Sequence, residues 1–68
     1  MIRLKINGVE DEVAAATVGE LLARRGIEAN ARFVAVAVNG TVVRRDDWGE
    51  APLHPGDAVE IVRPLQGG

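Results

Sequence analysis

Two Asn-Gly pairs decide most of what this chain can become: Asn7-Gly8 and Asn39-Gly40 each stand between runs whose side chains alternate in character. Asparagine and glycine tolerate the positive φ needed at both centres of a two-residue hairpin turn, so each pair predicts an antiparallel hairpin. Before the first turn Ile2, Leu4 and Ile6 alternate with Arg3 and Lys5; after it Val9, Asp11 and Val13 alternate with Glu10 and Glu12. That period of two marks half-buried strands over 2–6 and 9–13. In "FVAVAVNGTVV" the same logic puts Val34, Val36 and Val38 on a core side and Phe33, Ala35 and Ala37 on the opposite one.

Between the hairpins, "TVGELLARRG" carries helix punctuation at both ends. Thr17 and Glu20 have capping-box spacing, Arg24 and Arg25 occupy the last turn, and Gly26 follows as a stop, which predicts a helix over about 18–25. Val18, Leu21 and Leu22 form its apolar stripe, and Ile27 beyond the glycine can close a Schellman-type end. "RRDDWGEAPLHPGD" reads as a loop anchored by Trp48 and Leu53, in which Arg44, Arg45, Asp46 and Asp47 are expected to neutralise one another. Its "HPGD" turn, with Asp57 capping local amides, leads into "AVEIV", where Val59 and Ile61 face inward and Ala58, Glu60 and Val62 outward. Pro64 lacks an amide hydrogen and ends this strand, leaving 64–68 as an exposed tail. The expectation is an α+β fold: a single domain over 1–68, with a mixed sheet of about five strands and one main helix packed across one face.

Composition then removes whole classes of chemistry. The 68 residues are 47% hydrophobic and 26% charged, too apolar for disorder and too few for a separate catalytic domain. Cysteine, serine and tyrosine are absent and His54 is the single histidine. No disulfide, thiolate zinc site, iron-sulfur cluster, serine triad or multi-histidine metal centre can be assembled, and no bound cofactor or metal is expected. His54, in a turn without a second ligand, is read as a solvated loop residue. A net charge of -2 offers no basic footprint for nucleic acid, and no apolar stretch is long enough for a membrane span, so the expected partner is protein. Met1 runs directly into "IRLKI" without a secretory signal pattern, which points to the cytoplasm.

What remains for chemistry is the closing "GG". A carboxylate is a poor electrophile until it attacks the α-phosphate of ATP and becomes an acyl adenylate, which a sulfur nucleophile can displace. Reaching that carboxylate means threading backbone through a narrow channel, and glycine suits this because it has no Cβ. Without cysteine, sulfur carried covalently as an acyl species has to sit on the terminus as a thiocarboxylate.

The strand order, "AVAVNGTVVRRDDW", "LHPGDAVEIV" and the closing "GG" together resemble, over nearly the whole chain, the ThiS family of sulfur carriers of thiamine thiazole biosynthesis, which has a β-grasp, ubiquitin-like fold. The resemblance implies a non-enzymatic carrier. The E1-like adenylyltransferase ThiF would activate Gly68 with ATP and magnesium, a persulfide donor enzyme would supply sulfur, and thiazole synthase, ThiG, would consume the thiocarboxylate. Gly67 would be the second residue of the threaded tail. Ala35, Ala37, Val62 and Leu65 would contribute to the partner surface, since ubiquitin-like proteins commonly present this sheet face to activating enzymes. A final strand parallel to the first is likewise implied by the resemblance. Three alternatives share the fold: a MoaD-like carrier for molybdopterin synthesis, an isopeptide-forming modifier, and a TGS-like binding module with an inert tail. Glu10, Asp11 and Glu12 are read as a solvated acidic face, and Trp48 as a buried anchor.

Overall fold

The computed structural model describes residues 1–63; the predicted site positions Leu65, Gly67 and Gly68 lie outside them. The elements run β1 (Ile2–Ile6), β2 (Val9–Val13), α1 (Val18–Arg24), β3 (Ala35–Val38), β4 (Thr41–Val43), a 3-10 turn (Arg45–Asp47) and β5 (Ala58–Val62). Both Asn-Gly turns take the predicted conformation, with φ of 51° and 84° at Asn7 and Gly8 and of 52° and 83° at Asn39 and Gly40. The strands form one sheet in the order β2-β1-β5-β3-β4. β1 is antiparallel to β2 and parallel to β5, while β5 is antiparallel to β3. A mixed sheet of this order under a single α-helix is the β-grasp arrangement.

Alternation in the strands puts Leu4, Ile6, Val36 and Val59 on the helix side, where they are buried with Val18, Leu21, Leu22 and Ile27. Each fully buried aliphatic side chain contributes about 1.5–3 kcal/mol. The helix is short and its ends are well made. Thr17 Oγ1 accepts from Glu20 N–H at 3.2 Å, and Glu20 Oε1 accepts from Ala16 N–H at 2.7 Å. The expected reciprocal bond thus lands one residue earlier, because the entry is extended and stitched to the 51–53 segment: Thr17 bridges Pro52, and Leu53 N–H donates to Ala16 O at 2.9 Å. At the other end Gly26 has φ 79°, Gly26 N–H donates to Ala23 O and Ile27 N–H to Leu22 O, the two bonds of a Schellman end.

Trp48 is buried as expected, its Nε1–H donating to Val43 O at 3.1 Å. The charge cluster before it corrects the sequence reading. Arg45 does not neutralise its acidic neighbours; its Nη1 donates to Ala29 O at 2.7 Å and its guanidinium lies 4.7 Å from the Trp48 ring centroid. The ring face and a free carbonyl outcompete exposed carboxylates that water already solvates. Phe33 is exposed, in keeping with its place opposite the core side, but it lies outside the strand. It precedes β3 with φ 62° and is 77% exposed, because the β3–β5 ladder closes at the Ala35–Val62 pair and gives Phe33 no partner.

Candidate functional site

The sheet face turned away from α1 divides into two fields. On β1 and β2 it is charged: Arg3 lies 3.5 Å from Glu10 and 3.3 Å from Glu12, pairs that are exposed and contribute little to stability. Asp11, on the helix side of β2, meets Arg25 at 3.2 Å, so the acidic run is partly matched by arginine and is not purely solvated.

The other field is apolar and is built by register. Ala35 pairs with Val62, Ala37 with Glu60 across β5, and Ala37 with Val42 across β4. Directly opposed residues share a face, so Ala35, Ala37, Val42 and Val62 form one patch on the outer surface. Val42 and Val62 are 72% and 62% exposed, Ala35 is exposed, and Ala37 is half-buried between its neighbours. The two alanines make a shallow floor between two projecting valines, with Glu60 separating this floor from the β1–β2 charges. Three of the predicted interface residues, Ala35, Ala37 and Val62, are therefore brought together, and Leu65 falls outside the described residues. Val42 was missed. The signal was present, since a two-residue turn at Asn39-Gly40 necessarily sets position 42 opposite 37.

β5, which delivers Val62 to the patch, is held at its start by the second turn. Asn39 Oδ1 accepts from Ala58 N–H at 2.9 Å and Asn39 Nδ2 donates to Asp57 Oδ1 at 3.0 Å. That amide bond, then the His54 N–H donating to Asp57 Oδ2 at 2.9 Å, holds the Asp57 carboxyl below the usual carboxylate range; partial burial opposes the shift, and His54 adds a smaller favourable charge effect. Asp57 is thus a turn former, as its sequence context implies. His54 is exposed in the same turn. Among the described residues no group of three or more His, Asp or Glu side chains is placed to hold a metal ion, and no helix is long and apolar enough to cross a membrane.

The arrangement is an exposed apolar patch made of Ala and Val side chains, none of them reactive. The chain is similar to the thiamine biosynthesis protein ThiS of Geobacter metallireducens in its crystal structure, with 34% identity and a TM-score of 0.78 over 98% of this chain and 100% of that one. The solution structure of a thiamine biosynthesis protein from the same organism is similar at 33% identity and TM-score 0.78, over 98% of this chain and 88% of that one. No curated protein matches it significantly. The model of the ThiS family matches residues 4–68, a span that includes both Asn-Gly turns, β5 and the final Gly-Gly, and on that match the chain belongs to the ThiS family.

Proposed function

We propose that this protein carries sulfur for the thiazole of thiamine as a thiocarboxylate on Gly68, and is a substrate of its partner enzymes with no catalysis of its own. The observation that carries this reading is the family match through the closing Gly-Gly, in a chain whose lack of cysteine leaves no side-chain thiol to hold sulfur. The Gly68 carboxylate attacks the α-phosphate of ATP, bound with magnesium by ThiF, and pyrophosphate leaves. A persulfide sulfur from a donor enzyme then displaces AMP. A second thiol cleaves the resulting acyl disulfide, leaving the thiocarboxylate for ThiG. Gly67 and Gly68 pass the narrow approach to the reacting phosphate because neither has a Cβ. The patch of Ala35, Ala37, Val42 and Val62 is the surface that docks on ThiF, and Leu65 is assigned to the same contact on the family resemblance alone.

Intact-mass measurement after incubation with ThiF, ATP, magnesium and a persulfide donor tests this. A gain equal to one oxygen-to-sulfur exchange is expected, and an unchanged mass overturns the reading. Deleting Gly68 or replacing Gly67 by Trp is expected to leave the circular dichroism spectrum and unfolding midpoint unchanged while adenylation is lost; a truncated chain adenylated at the normal rate refutes the assignment.

A further inference from the structure

We propose that Asn7 is a positioning residue whose carboxamide locks the closing rung of β5 and so sets how far the chain beyond it can reach. The proposal rests on the carrier reading above. The parallel β1–β5 ladder runs from Lys5 N–H donating to Asp57 O at 3.0 Å to Asn7 N–H donating to Val59 O at 2.9 Å. There the backbone turns away into the first hairpin, and β1 has no further peptide group to offer Ile61. The Asn7 side chain supplies one. Its Oδ1 accepts from Ile61 N–H at 2.8 Å and its Nδ2 donates to Ile61 O at 3.1 Å, across 54 residues of sequence. A carboxamide has the donor and acceptor of a peptide group, so it prolongs the ladder by one rung. The end of β5 is thereby gripped on both sides, by Asn7 at Ile61 and by Ala35 of β3 at Val62.

Residues 63–68 follow that grip and span at most about 20 Å when fully extended. For a reaction at the last residue inside another protein, this is a fixed length, and opening the Ile61–Val62 rung is the means of extending it. Asn7 holds the β1 side of that rung, and the Ala35 pair holds the β3 side.

The turn and the clamp can be separated, because Gly-Gly also favours the same turn. Asn7→Gly keeps the hairpin and removes the carboxamide. Asn39→Gly removes the corresponding clamp at the start of β5 and serves as the control. In the full chain, Asn7→Gly is expected to speed amide hydrogen exchange at Ile61 about tenfold beyond any change in global stability, and Asn39→Gly to leave that ratio alone. Deleting Arg63 then shortens the reach by about 3.4 Å without altering the last five residues. The deletion is expected to lower kcat/KM for ThiF-dependent ATP–pyrophosphate exchange in the wild-type and Asn39→Gly chains, and to lower it about tenfold less in Asn7→Gly, where the β3 pairing alone must be opened.

An equal loss in all three backgrounds overturns the proposal, as does a deletion without effect or an unchanged exchange rate at Ile61. If ThiF fails to adenylate the wild-type chain, the carrier reading and the reach argument fall together, while the Ile61 exchange still reports whether the clamp exists.

Discussion

Asp57 shows how a single side chain in a surface turn couples the fold to pH. Its carboxylate accepts from Asn39 Nδ2 and from His54 N–H, and these bonds favour the charged form in the folded state. A carboxyl held below its unfolded value stabilises fully above the unfolded pKa and loses that contribution as pH falls through the folded one. Urea midpoints measured as a function of pH are therefore expected to drop below about pH 4, and Asp57→Asn to flatten that part of the slope. An identical acid slope in the variant refutes the assignment. Residue-level roles were unevenly legible. Asp57 and Trp48 followed from turn chemistry and from size, whereas the reach of Asn7 and Asn39 onto β5 did not. Their turn propensity explains them locally, and nothing in the spacing signals a bond 54 residues away.

Among the elements, α1 depends most on its ends. Seven residues are too few for a helix to be stable by propensity, so caps and the buried face of Val18, Leu21 and Leu22 sustain it. Thr17→Ala removes the acceptor for Glu20 N–H and is expected to destabilise the protein by about 1 kcal/mol, lowering Tm by roughly 4–8 °C in a thermal melt followed by circular dichroism. Both caps were readable because their residues lie within a few positions of the bonds they make. β3 was read two residues too long. Phe33 and Val34 continue the apolar run, but a strand's length is set by its partner, and β5 pairs with β3 only as far as Ala35. Arg45 was misread for a related reason: its carbonyl acceptor, Ala29, is distant in sequence and invisible to charge counting.

At the scale of the molecule, the two faces of the sheet have separate duties: one builds the core and the other stays available. Ala37→Asp and Val62→Asp place charge on the outer floor, away from the core. Each is expected to weaken ThiF docking about tenfold or more by calorimetric titration, while shifting the urea unfolding free energy by less than about 1 kcal/mol. Unchanged affinity removes this patch from the partner surface. The outward set on β3 and β5 was legible from alternation, because which side a residue occupies needs only the period. The adjacency of β5 to β1 was not, since parallel pairing leaves no local turn signal and entered through resemblance alone.

That adjacency has a kinetic consequence. The hairpins β1–β2 and β3–β4 share no rung, and β5 lies between them in the sheet. Each ribbon can zip early from its own turn, yet the two become a single sheet only when the latest strand in the sequence slots into the gap. Pairing of β5 with β1 brings Lys5 beside Ala58, a closure across most of the chain and the most costly in loop entropy within the sheet. The closing Gly-Gly therefore follows, in sequence, the strand whose pairing joins the two hairpins, so a chain in which β5 has yet to pair has two separate ribbons in place of one sheet.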